Sequence, residues 1–168
     1  VSREERVFAV KNNRGKSISL KGVLVGEAWF SSGQSNMVWT AGKSMCNGLA
    51  REIAASKEDI PIREININTV SALYPQKRAT SEGGWKKASA ASGFSALSLS
   101  FAYELYRELK MPIGILLSAH SNTRIEAFTQ REAIEKHPKL TGDADLIRDA
   151  DPLGDQGRNA YERYYSAL

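Results

Sequence analysis

A single cysteine, Cys46, stands in a chain of 168 residues, which excludes an internal disulfide and any zinc site built from several thiolates. Nothing near Cys46 would activate it as a thiolate, so it reads as a small, packed residue on a helix. Compartment does not follow from it, because many exported proteins also lack disulfides. Long apolar runs are missing as well. No stretch approaches the roughly 20 residues of a membrane span, and the charged start Ser2-Arg3-Glu4-Glu5-Arg6 is unlike a signal peptide. Charge of one sign is scarce: 23 Lys and Arg against 19 Asp and Glu leave a net +4, scattered along the chain. That distribution does not call for nucleic acid. No nucleotide or metal motif appears, and no cofactor is expected. Gly42-Lys43-Ser44 resembles part of a phosphate loop, but Met37 occupies the required glycine position five residues earlier.

The residues that are present describe an ordinary globular chain, 42% hydrophobic and 25% charged. The length fits one domain or part of one. Val7-Phe8-Ala9-Val10, the polar turn Asn12 to Gly15 and the alternating Ile18-Ser19-Leu20 read as a β-hairpin. Val23 to Phe30 reads as a central strand, since a parallel sheet covered on both faces needs a near-continuous apolar run. A helix is expected over Ala41 to Ala55, and β-branched alternation predicts a strand over Ile60 to Asn68. Leu97, Phe101, Leu105 and Leu109, with Ala102 and Tyr106 beside them, predict an amphipathic helix. Pro112 stops it, and Ile113 to Leu117 follows as a buried strand. Arg131 to Lys136 reads as a short helix, Asp143 to Gly157 as an acidic, turn-rich stretch and Asn159 to Leu168 as a further helix. The fold class is therefore α/β: a doubly wound, mostly parallel sheet flanked by helices, with a short N-terminal β-hairpin.

Between the run ending at Phe30 and the helical segment lies Gly33-Gln34-Ser35-Asn36-Met37. A serine at a strand-to-helix turn has free helix amides beside it, which suits an oxyanion; position alone favours the plainer role of a helix cap, for which Ser and Asn are preferred. The window ends in Met37 rather than glycine, so it is not the G-x-S-x-G elbow of the α/β-hydrolases.

Gly26-Glu27-Ala28-Trp29 through Gly33-Gln34-Ser35-Asn36-Met37 resembles the GEVW…GQSNM block of the sialate O-acetylesterase-like carbohydrate esterases, a branch of the SGNH hydrolase superfamily. Pro112 to Ser118, followed by Thr123-Arg124-Ile125-Glu126-Ala127-Phe128-Thr129, is similar to that family's PIGLI…GGTPIEAWT. The resemblance implies an SGNH hydrolase-like domain, incomplete here, over residues 23–168. Residues 1–22 would be the hairpin remnant of a preceding β-rich region. It implies a carboxylic ester hydrolase in which Ser35 attacks an acetyl ester of sialic acid or another acetylated sugar, forming an acetyl-enzyme that water releases. The Ser35 amide would be one oxyanion donor, with Gln34 and Asn36 beside it. The family's glycine pair is replaced by Ser121 and Asn122, whose amides stand where the second donor is expected. An extracytoplasmic location is implied by the resemblance alone.

A serine also needs a base, and histidine is scarce: His120 and His137 are the two. His120 follows the last strand, where packing and site-lining are both open to it. His137 has Ile134 three residues before it instead of the family's aspartate, and reads as a surface residue. The family's W-Y-Q-G-E and D-x-x-H blocks are absent. The chain is then a fragment, one of two cooperating chains, or a diverged non-catalytic carbohydrate-binding or interaction module. Trp39 is the tryptophan placed to wall a sugar site; Trp29 and Trp85 read as packing. Ser35 is expected to be accessible at a strand-to-helix junction, with Ser121 and Asn122 beside it.

Overall fold

The computed structural model describes residues 3–56, 58–70, 77–81, 83–123 and 125–137. The readings for Asp143 to Gly157 and Asn159 to Leu168 lie outside them.

Polar turn residues fold the start of the chain back on itself. The Asn12 side-chain oxygen accepts from the amides of Arg14 and Lys16, both at 3.0 Å, and Gly15 takes a positive φ of 79°. This turn joins β1 (Arg6–Lys11) to β2 (Ser17–Val23) in an antiparallel hairpin. An isolated hairpin is marginal in water, and this one is tethered. Arg63 donates to the Gly22 carbonyl at 2.6 Å and to Glu5 at 2.5 Å, and Lys87 reaches Glu5 at 2.6 Å. Hydrogen bonding and charge from Lys87, then Arg63, hold the Glu5 carboxyl below its usual pKa.

The main sheet contains β3 (Glu27–Gly33), β4 (Ile62–Asn66), β5 (Lys86–Lys87) and β6 (Ile113–Ala119), in the order β3-β6-β4-β5. β3 and β4 run parallel to β6, and the short β5 is antiparallel to β4. The expected strand from Val23 thus starts later, at Glu27. Among the described residues it borders β6 alone, and β6 takes the position between β3 and β4. Gly26 explains the start: a Cβ there would lie 2.0 Å from the Pro112 carbonyl oxygen, so the two backbones touch. Glu27 then donates to that same carbonyl at 3.0 Å, which sets the register.

The expected Ala41 to Ala55 helix is split. After α1 (Ser35–Val38) comes a 3₁₀ turn over Ala41–Lys43, then α2 (Asn47–Ala55). Ser44 makes the break, since its hydroxyl donates to the Ala41 carbonyl and accepts from the Cys46 amide, both at 3.1 Å. Side-chain bonds of this kind compete with helix continuation. Cys46 is half-buried against the core, 3.3 Å from the Ser100 hydroxyl. Gly48 lies exposed in α2 with open space where a Cβ would stand. Gly48→Ala is expected to raise stability by about 0.5–1 kcal/mol in urea unfolding, because glycine forfeits backbone entropy in a helix.

Ser95 caps α3 (Ala96–Leu109), its hydroxyl accepting from the Ser98 amide, and Lys110 ends the helix in the left-handed region at φ 54°. Leu99, Ala102 and Tyr106 face the core with Phe94, Ile62, Ile113 and Ile115. The helix is where the sequence places it, but its buried stripe is rotated: Leu97, Phe101 and Leu109 are about half-exposed. α3 lies on the sheet face that carries Trp29, Ser31, Glu64 and Ile115. Phe101 meets Trp29 edge-on with ring centroids 5.0 Å apart, and the Ser31 and Ser98 hydroxyls are 2.6 Å apart. On the opposite face Trp85 rests on Gly114, where a Cβ would come within 3.3 Å of its ring. A short 3₁₀ turn at Ile125–Phe128 and α4 (Arg131–Lys136) follow β6.

Candidate functional site at the carboxyl ends of β3 and β6

Parallel pairing brings two chemically loaded turns together. Gly33 pairs with Ala119 at the last rung of β3 and β6, and the His120 amide extends the ladder to the Gly33 carbonyl at 3.0 Å. Immediately beyond lie Gln34-Ser35-Asn36 on one strand and Ser121-Asn122-Thr123 on the other. The Gln34 side-chain amide crosses to donate to the Thr123 carbonyl. Open α/β sheets gather their ligands at this edge.

Local geometry follows from three residues. Gly33 has φ 144°, and a Cβ there would lie 2.8 Å from Met37 Cγ, so glycine is needed to turn the chain sharply into α1. Gln34 is the N-cap residue in extended conformation, and its carbonyl accepts from Met37 at 2.9 Å. Ser35 is the first helical residue, half-buried, with Gln34 and Asn36 exposed on either side. Its carbonyl accepts from the Trp39 amide at 3.1 Å. Trp39 is 57% exposed directly after α1, available as a surface platform next to the serine.

On the facing turn Asn122 takes φ 57°. Asparagine tolerates this left-handed conformation better than other residues with a Cβ, which accounts for its standing at a glycine-like position. Ser121 and Asn122 are exposed, while Thr123 is 4% exposed and its hydroxyl donates to the Ser121 carbonyl at 3.3 Å. Asn122→Ala is expected to cost about 1 kcal/mol and Asn122→Gly nothing, as read by thermal unfolding, because alanine resists positive φ.

His120 lies exposed at this same edge through its backbone bond to Gly33, whereas His137 caps the far end of α4. Among the described residues no hydrogen bond joins the Ser35 hydroxyl to either imidazole. No cluster of metal-ligating side chains occurs among them.

Two polar groups escaped the sequence reading. Glu64 is 1% exposed on β4 and accepts from the Ser95 amide at 3.0 and 3.3 Å through its two oxygens. Burial raises its pKa to about 7, against the Ser95 hydrogen bond and the charge of Lys86, which both lower it. Asn66, at the carboxyl end of β4, has a buried side-chain oxygen without a hydrogen-bond partner among the described residues. The phase of Ile62 was the available signal, since residues two and four further along a strand share its face.

A cavity of about 570 Å³ lies at the other end of the strands, lined by Gly22, Val23, Gly26, Pro61, Trp85 and Pro112 among others. It separates the hairpin from the sheet and has no part in the Ser35 edge.

No protein-family model matches this sequence, and no curated protein matches it. A solved structure does: the crystal structure of a carbohydrate acetylesterase from Xanthomonas citri, with TM-score 0.67 and 24% sequence identity. The match covers 96% of this chain and 42% of that one, so the present chain spans less than half of that protein's length. The chain shares the α/β fold of that part of the esterase.

Proposed function

We propose that this chain is part of the catalytic domain of a serine carbohydrate esterase of the SGNH type, removing O-acetyl groups from sialic acid or another acetylated sugar. The observation that carries the reading is the meeting of the Ser35 turn with the Ser121–Thr123 turn at one sheet edge. The shared fold with a carbohydrate acetylesterase supports it. In this reading the Ser35 hydroxyl attacks the acetyl carbonyl, and the developing oxyanion is met by the Ser35 amide and by an amide of Ser121 or Asn122. Trp39 offers an aromatic wall for the sugar. The base that takes the Ser35 proton comes from outside the described residues, and residues 1–22 belong to a β-rich region ahead of the domain.

The test is acetate release from an activated acetyl ester, measured on the 168-residue chain and on the full-length protein it is proposed to belong to. Turnover in the full-length protein is expected to vanish in Ser35→Ala and to survive in His120→Ala. The 168-residue chain alone should turn over far more slowly. Undiminished turnover in Ser35→Ala would remove the nucleophile assignment. The exposed Trp39 favours one other reading, a carbohydrate-binding module without catalysis, which predicts sugar binding that Trp39→Ala abolishes and no acetate release from either protein.

A further inference from the structure

The first amides of α3 are shared among three acceptors. Helix amino ends leave such donors free, and here Ser98 donates to the Ser95 hydroxyl, Ala96 to the Trp39 carbonyl at 2.8 Å, and Ser95 to the Glu64 carboxyl. Ser95 also forms an antiparallel bridge with Thr40, and the Ala41 amide donates to the Phe94 carbonyl at 2.8 Å. Trp39 closes the connection, because its own amide donates to the Ser35 carbonyl. An unbroken series of backbone bonds therefore runs from a buried carboxyl to the turn that carries Ser35.

We propose that Glu64 is a positioning residue for the Ser35 turn: its carboxyl seats the start of α3, α3 seats Trp39 and Thr40, and the proton on Glu64 sets how firmly that seat is held. Ionised, the carboxylate is a strong acceptor for Ser95, yet it is enclosed with little else to replace water. Local opening that hydrates it then loosens the Ser95–Thr40 contact and, through Trp39, the serine turn. Protonated, Glu64 is compatible with the closed arrangement.

The surroundings contain few competing charges. From β5, Lys86 stands opposite Glu64 in register, while Lys87 is engaged with Glu5. From β6 the facing residue is Ile115, and β6 carries no titratable side chain. α3 presents Ser95 and Ser98, its charged residues Glu104, Arg107 and Glu108 lying six or more residues beyond Ser98. Arg63, on the opposite face of β4, is occupied by Glu5 and Gly22. At the serine end the titratable neighbour is His120, bound through its amide to Gly33.

The experiment is an NMR pH titration of the chain carrying ¹³C-labelled glutamate and ¹⁵N amides. The Glu64 carboxyl carbon and the amides of Ser95, Ala96, Trp39 and Ser35 are expected to shift with one common midpoint. In Glu64→Gln, which keeps an acceptor for Ser95, that component should disappear from all four amides. A Glu64 titration that moves Ser95 but leaves Trp39 and Ser35 unmoved overturns the proposal, as does an unchanged response in Glu64→Gln. Should the substituted protein fail to fold, the wild-type titration still decides through the agreement or disagreement of midpoints. The proposal uses Ser35 as the residue being positioned, but this readout does not require turnover. The common titration, found together with no acetate release from the full-length protein, would sustain it while removing the esterase reading.

Discussion

Gly26→Ala is expected to destabilise the fold by about 3 kcal/mol or more, a large share of the roughly 5–15 kcal/mol that holds an ordinary domain folded. The new methyl would lie 2.0 Å from the Pro112 carbonyl oxygen and 2.8 Å from the carbonyl carbon. Both atoms are backbone, so no rotamer change relieves the clash. The amino ends of β3 and β6 must move apart, and the hydrogen bond from Glu27 to Pro112 is lost with them. Overpacking alone costs about 1–3 kcal/mol, and a lost hydrogen bond adds about 1. Urea unfolding should show the drop as a lower midpoint at constant slope. A change below about 1 kcal/mol would mean that the two strands do not touch there.

The second large effect is a dependence of stability on pH set by Glu64. Unfolded, its carboxyl ionises near 4.5, whereas burial raises the folded value to about 7. Between those limits the folded chain holds a proton that the unfolded chain has released, so stability falls as pH rises from about 4.5 to 7 and then levels off. The difference amounts to about 3 kcal/mol, at 1.36 kcal/mol per unit. Glu5 acts in another window with the opposite sign: its lowered value gives stability that is lost as pH falls below 4.5. Unfolding free energies at pH 5 and pH 8 should therefore differ strongly in the wild type and little in Glu64→Gln, whose amide still accepts from Ser95. Equal pH dependence in the two proteins would show that Glu64 ionises as freely folded as unfolded.

The sequence made the hairpin, the β4 and β6 strands and the existence of α3 legible through period and punctuation, because those signals are local. It misplaced the buried face of α3 for a geometric reason. Residues spaced by four advance 400° around a helix of 3.6 residues per turn, so the stripe Leu97-Phe101-Leu105-Leu109 drifts about 40° per step and cannot stay on one face. The small residues Ala96 and Ala102, with Leu99 and Tyr106 on the same side, make the close contact instead. The strand order was not legible either. Which strand lies between two others depends on contacts far apart in sequence, such as Gly26 against Pro112, that no local pattern records. At the candidate site, the juxtaposition of Ser35 with Ser121 and Asn122 followed from two strands ending at one edge. Glu64 was missed because a glutamate within an alternating strand reads as a solvent-facing residue. Its burial depends on α3 offering an amide, which only the folded structure displays.

The pairing of β3 with β6 also has a meaning in time. Every rung joins residues 86 positions apart, from Glu27 with Ile113 to Gly33 with Ala119. A ribosome adding about 5–20 residues per second needs roughly 4–17 s to make the second strand after the first has emerged. Through that interval β3 has no partner among the described strands, and its Trp29 and Phe30, which remain 41% and 67% exposed even in the folded chain, face water or other proteins. The Ser35 turn therefore meets its facing turn only after β6 has been made, and until then the nascent chain presents an unpaired β3 on which a chaperone could act.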